Sequence, residues 1–114
     1  KTSLPESDTI RIDSVSVMPN PVTPGGKFTM AIDFMVYERK RALFSIPFTL
    51  TYQIIYNDTL VYEKRVELET ISGQKKSIAK KGLQASSQRG EYTVKVIIEY
   101  GNMMAGKSTS FKIT

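Results

Sequence analysis

A chain of 114 residues, 40% hydrophobic and 24% charged, has the length and composition of one folded domain with a substantial core, not of a disordered segment or of two domains. It contains neither cysteine nor histidine, which excludes a disulfide framework and cysteine-ligated metal, and removes the commonest general base and metal ligand. The net charge of +5, from 16 basic and 11 acidic residues, favours solubility and attraction to anionic partners.

Lys1–Thr9, with Pro5 and small polar residues, reads as a flexible lead-in or linker ahead of a single domain over residues 10–114. The chain opens on Lys1 rather than Met, the pattern of a processed form or an excised fragment. No apolar run approaches the ~20 residues that span a bilayer.

Ile10 and Ile12 share one parity and Val15 and Val17 the other, so the first strand is expected to slip through a bulge or change sheet near Asp13-Ser14. Met18–Gly26 holds three prolines and two glycines in nine residues, a rigid connection. Phe28, Met30, Ile32, Phe34 and Val36 then alternate with Thr29, Ala31, Asp33, Met35 and Tyr37, a second strand. Glu38–Pro47 carries three consecutive cations followed by apolar residues and reads mostly as a long loop.

Phe48, Leu50, Tyr52, Ile54 and Tyr56 form the next alternating face, and Asn57-Asp58 supplies two residues that tolerate the left-handed backbone of a tight hairpin turn. The return strand sets Leu60, Tyr62, Val66 and Leu68 against Glu63, Arg65, Glu67 and Glu69. After a loop at Ser72-Gly73-Gln74, Lys75–Leu83 is a short edge strand whose four lysines discourage unwanted pairing. A polar loop, Gln84–Arg89, leads into Gly90–Tyr100. That stretch has the strictest alternation in the chain: Tyr92, Val94, Val96, Ile98 and Tyr100 on one face. Gly101–Gly106 turns the chain, and Phe111 and Ile113 anchor the last strand. About seven strands with regular turn signals and no sustained helical period predict an all-β fold, an antiparallel β-sandwich.

Two pieces carry a family resemblance. Gly90-Glu91-Tyr92-Thr93-Val94-Lys95-Val96 resembles the penultimate strand of fibronectin-type and related bacterial domains, where a tyrosine near the strand start braces the corner. Pro19-Asn20-Pro21-Val22-Thr23-Pro24-Gly25-Gly26-Lys27-Phe28 resembles the turn between the first two strands of bacterial cell-adhesion-related domains. The resemblance implies an immunoglobulin-like topology, without the cysteines and core tryptophan of antibody domains. Such a fold hosts adhesion, spacing, sugar binding and subunit assembly alike.

Motifs with catalytic overtones fail on context. Gly101-Asn102-Met103-Met104-Ala105-Gly106-Lys107-Ser108 satisfies the phosphate-loop pattern, but too little chain follows Ser108 for the required helix and magnesium-binding strand, so it reads as a hairpin connection. Ser77-Ile78-Ala79-Lys80 has the serine-x-x-lysine spacing of acyl enzymes without their helix or companion motifs. Glu63, Glu67 and Glu69 flank Arg65 and read as a solvated, salt-bridged sheet face rather than a glycosidase pair. Asn57-Asp58-Thr59 is a glycosylation acceptor pattern, meaningful only in a eukaryotic secretory route. No catalytic, cofactor or metal-ligating set emerges.

Loops of an antiparallel sandwich alternate between its ends, so Glu38–Pro47, Ile71–Lys76 and Gly101–Gly106 are expected to gather at one end. They would bring Arg39, Lys40, Arg41, Lys75 and Lys76 together with Leu43, Phe44, Ile46, Met103 and Met104, a basic rim around apolar side chains suited to an acidic protein partner. The bland reading is that Leu43, Phe44 and Ile46 start the next strand or cover the core, and that the lysines merely solubilise the loops. The expectation is a non-enzymatic interaction module outside the cytoplasm, a subunit or surface domain of a bacterial assembly. Lys1–Thr9 offers a second docking route by strand addition, and unpaired edges leave room for homo-oligomers. The alternative is a carbohydrate- or polyanion-binding module using exposed Tyr37, Tyr62 or the basic loops. Nucleic acid is disfavoured, because no basic residues interleave with aromatics on one platform.

Overall fold

The computed structural model describes residues 7–114, and the greater part of the expected lead-in therefore lies outside the described residues. Seven strands follow in order: β1 (Thr9–Met18), β2 (Lys27–Tyr37), β3 (Ser45–Tyr56), β4 (Thr59–Ile71), β5 (Lys76–Gln84), β6 (Gly90–Tyr100) and β7 (Met103–Ile113). They form a three-stranded sheet in the order β1-β2-β5 and a four-stranded sheet in the order β4-β3-β6-β7, and every strand pair is antiparallel. Among the described residues the only helical element is one short 3-10 turn, Arg39–Arg41.

The alternation read from the sequence selects the inner faces. Phe28, Met30, Ile32, Phe34 and Val36 of β2 meet Phe48, Leu50 and Tyr52 of β3 and Tyr92, Val94, Val96 and Ile98 of β6 in one hydrophobic cluster. β1 slips register between Ile12 and Ser14, which turns Val15 and Val17 inward alongside Ile10 and Ile12, as the change of parity predicted. On the outer face of the three-stranded sheet, Asp33 accepts hydrogen bonds from Ser14 (2.9 Å) and Ser77 (2.5 Å), joining all three strands. The Ser77 bond foremost, then that of Ser14, holds the Asp33 carboxyl below its usual value.

One end of the two-layer core is closed by a knot of aromatic rings. Tyr92 stacks between Tyr56 (centroids 4.6 Å apart) and Phe111 (5.5 Å), and its hydroxyl donates to the Gln88 carbonyl at 2.7 Å. That bond ties the loop ahead of β6 to the aromatic knot. Gly90, at φ +150°, enters β6 so close to this knot that a Cβ there would stand 2.8 Å from Tyr56 Cε1. Val22, buried in the β1–β2 connection, bonds to the Lys112 carbonyl (2.7 Å) and accepts from the Thr114 amide (3.0 Å), fastening that connection to the end of β7.

Several expectations are corrected. β3 begins at Ser45, so Ile46 and Pro47 belong to the strand and Ile46 is fully buried. Only Gly101-Asn102 turns the chain; Met103–Gly106 pairs with Tyr100–Ile97, so most of the phosphate-loop pattern is edge strand. Ser77 and Lys80 occupy opposite faces of β5, facing Asp33 and Met30 respectively. Val61 is left unpaired by a register shift, which moves Leu60 to the face opposite Tyr62. No ion pair joins Arg65 to the β4 glutamates among the described residues; Gln53 Nε2 donates to Glu63 instead, at 2.6 Å. Tyr37 is buried, not exposed, and Thr9 already belongs to β1.

Two tests follow from this architecture. Gly90→Ala should cost ~2–4 kcal/mol, combining a disfavoured backbone with overpacking against Tyr56, whereas Gly101→Ala, at φ +57° with open space around it, should cost only about 1 kcal/mol. Urea denaturation of both variants measures the difference. Burial first, and then the neighbouring Tyr62 phenol, pushes Tyr52 up to about 12 from its ordinary 10.0. Its folded pKa being the higher, the neutral phenol's contribution is complete below pH 10 and is lost as pH rises from 10 to 12. Stability should fall across that window, and fall less in Tyr52→Phe.

Candidate functional site

Local backbone chemistry shapes the β2–β3 connection. Arg41 and Phe44 amides donate to the Glu38 and Arg41 carbonyls, each at 2.9 Å, and wind Glu38–Phe44 into a compact turn. Leu43 sits at φ +66°, a left-handed conformation that is uncommon for a leucine. Its side chain and that of Phe44 are 66% and 67% exposed.

The β4–β5 connection holds this turn in place. The Leu43 amide donates to the Ser72 carbonyl and the Ser72 amide to the Phe44 carbonyl, both at 2.9 Å. Ser72 is fully buried, and its hydroxyl accepts from the Glu38 amide (2.9 Å) while donating to the Glu38 carbonyl (3.1 Å). Gly73 adds a bond from its amide to the Val36 carbonyl at 2.9 Å. The third connection joins through Tyr100, whose hydroxyl donates to the Glu38 carboxylate. That bond, and then burial, raises the Tyr100 phenol. Arg41 Nε lies 3.5 Å from the same carboxylate, and Asp8 accepts from the Arg39 amide at 2.8 Å.

The three connections therefore meet at one end, as the strand count predicted, but they bring together a smaller set than expected. Arg39, Lys40, Arg41, Leu43 and Phe44 occupy one exposed turn, and Lys75 the adjoining one. Lys76 begins β5 opposite Phe34. Met103 and Met104 are on β7, opposite Tyr100 and Glu99; Met104 is 67% exposed and Met103 half-buried. Ile46 drops out into the core. Among the described residues the side chains of Arg39, Lys40, Lys75 and Lys76 form no ion pair. Beside this basic turn lies a shallow hollow of about 190 Å³ over Pro47, Thr49 and Tyr100, carrying Glu67 and Glu99. The end thus presents side chains of both signs of charge side by side.

Ser72 and Tyr100 organise this end without standing out in the sequence. A serine before glycine reads as an ordinary loop residue, and Tyr100 as the last inward position of its strand. Their partner, Glu38, lies remote in the chain from both, and no local pattern marks such a contact. Among the described residues no group of three or more acidic side chains converges in a way that could hold a metal. Among the described residues no helix is long and apolar enough to cross a membrane. Set against known proteins, the chain matches no family model and no curated sequence.

Ser72→Ala would strip the Glu38 amide and carbonyl of their buried partner, an expected loss of ~1–3 kcal/mol. Amide hydrogen exchange should accelerate at Glu38 and Leu43 more than in the central strands, localising the damage to this end.

Proposed function

We propose that this chain is a non-enzymatic immunoglobulin-like module, working outside the cytoplasm as a subunit or surface domain of a larger assembly, that docks an acidic protein partner through the Arg39–Phe44 turn. The strand order β1-β2-β5 and β4-β3-β6-β7, with a tyrosine hydroxyl bracing the entry to β6, supports the immunoglobulin-like reading.

One observation carries the docking reading. Leu43 and Phe44 are about two-thirds exposed, yet their backbone is fastened on both sides to Ser72 and Leu43 adopts a left-handed conformation. Large apolar side chains held outward at a conformational cost are what a preorganised anchor requires, since ordering such side chains at the moment of binding would subtract from affinity. Arg39 and Lys40 add exposed cations beside them, whose side chains form no ion pair among the described residues and which would steer an acidic surface and favour its encounter.

The test is capture from source-cell envelope extract with three folded baits: wild type, Phe44→Ala, and Arg39→Glu/Lys40→Glu/Arg41→Glu. An acidic protein retained by wild type should bind Phe44→Ala at least about tenfold more weakly, the cost of one anchoring side chain. The charge-reversed bait should lose it, and added salt should weaken the wild-type complex. Equal capture by all three baits overturns the docking surface, and retention of glycan without protein replaces it with the carbohydrate reading.

A further inference from the structure

The two sheets are unequal. β1 lies against β7 along one side of the sandwich, so counting three strands across four leaves β4, at the other side, with no strand opposite it. Burial follows this overhang. Every residue from Thr59 to Arg65 is exposed, Tyr62 and Lys64 included, although register turns those two to the core side with Ile54 and Tyr52. Val66 and Leu68 are only half-buried beside the buried Leu50 and Phe48. One more strand on the edge of β5 would lie over this row and set four strands against four.

That edge of β5 is free: the strand pairs with β2 on one side and, among the described residues, with no strand on the other. Backbone donors and acceptors along it are open to an extended chain. The charge there is of one sign. From Lys75 to Arg89 the chain carries five cations and no carboxylate, so a second β5 is repelled and an acidic strand is attracted. Register refines the pattern. Lys76, Ile78 and Lys80 pair with Phe34, Ile32 and Met30 and so hold inward positions, as Lys64 does on β4, whereas Glu63, Glu67 and Glu69 fall on the outward face. An incoming strand therefore meets lysines and no carboxylate on its inward side. Opposite Lys80, Ile78 and Lys76, the complementary order of inward side chains is acidic, apolar, acidic.

We infer that the β5 edge takes up an extended acidic segment of a partner protein as a fourth strand of its sheet, with inward carboxylates beside Lys80 and Lys76 and an apolar residue between them against the half-buried row of β4. The site uses no residue of the Arg39–Phe44 turn and does not depend on it.

The probe is a nine-residue peptide, as long as β5, acetyl-Thr-Val-Thr-Glu-Thr-Val-Thr-Glu-Thr-amide, titrated into the full chain at low salt and followed by amide chemical shifts. Shifts should centre on residues 76–84 and on Val66 and Leu68, and amide exchange along β5 should slow. Replacing both glutamates by glutamine should weaken binding about tenfold. Because alternate amides of a strand point to opposite sides, N-methylation of alternate peptide residues should abolish binding in one phase and spare it in the other. Lys76→Glu/Lys80→Glu, two exposed substitutions, should weaken the acidic peptide at least about tenfold and bind its glutamate-to-lysine counterpart instead, which wild type should not. Arg39→Glu/Lys40→Glu/Arg41→Glu should bind the acidic peptide as wild type does. No shift on β5, equal affinity for the glutamate and glutamine peptides, indifference to N-methylation in both phases, or failure of the charge-reversed variant to take the lysine peptide would overturn the assignment. So would shifts centred on the Arg39–Phe44 turn, or a concentration-dependent dimer that protects β5 without peptide, since a second copy then fills the edge.

Discussion

Everything in this molecule depends on the inward row of β6. Tyr92, Val94, Val96 and Ile98 are all buried, on a strand flanked on both sides by β3 and β7. A strand presents one side chain in two to each face, so this row fixes which residues of its neighbours can share the core and thereby sets their register. The opposite sheet meets the same row through Phe28, Met30, Ile32 and Phe34 of β2. Tyr92 adds a directional element to an otherwise non-directional contact. Its ring lies in the aromatic stack while its hydroxyl satisfies the Gln88 carbonyl, so the loop entering the strand is tied to the core it leads into.

The two ends of the molecule handle apolar surface in opposite ways. At the Arg39–Phe44 end the core is sealed by hydrogen bonds through Ser72, and apolar side chains are held out into solvent. At the other end the aromatic residues stay inside and wall a cleft between the edges of β4 and β5. Both arrangements cost folding free energy, because exposed apolar side chains and incompletely filled interiors each forgo burial.

The periodic and local parts of this fold were legible in the sequence. Strict alternation identified the inner faces of β2, β3 and β6, the change of parity between Ile12 and Val15 located the β1 bulge, and Asn57-Asp58 has the positive φ values that the hairpin needs. What failed did so where a local signal had a second meaning. Pro47 read as loop, but β6 pairs with β3 only from Thr49 onward, so the missing proline amide falls where the strand has a neighbour on one side alone. Gly101 and Gly106 read as the two ends of a turn, yet Gly106 is a strand residue opposite Ile97, and Met103 and Met104 moved with it. The gathering of three loops was legible from strand counting. Its geometry was not, because Ser72, Glu38 and Tyr100 meet only through the tertiary fold.

The placement of β1 and β7 bears on how the domain transmits tension. Thr9 begins β1 beside the Arg39 turn, whereas Ile113 ends β7 at the far end, next to Val22. Force applied between these two points therefore runs along the strands rather than across them. Interstrand hydrogen bonds lie perpendicular to that direction, so those joining β1 to β2 and β7 to β6 are loaded together in shear instead of being opened one after another. A module connected through these points would resist extension as a stiff link, with its loaded bonds yielding as a group.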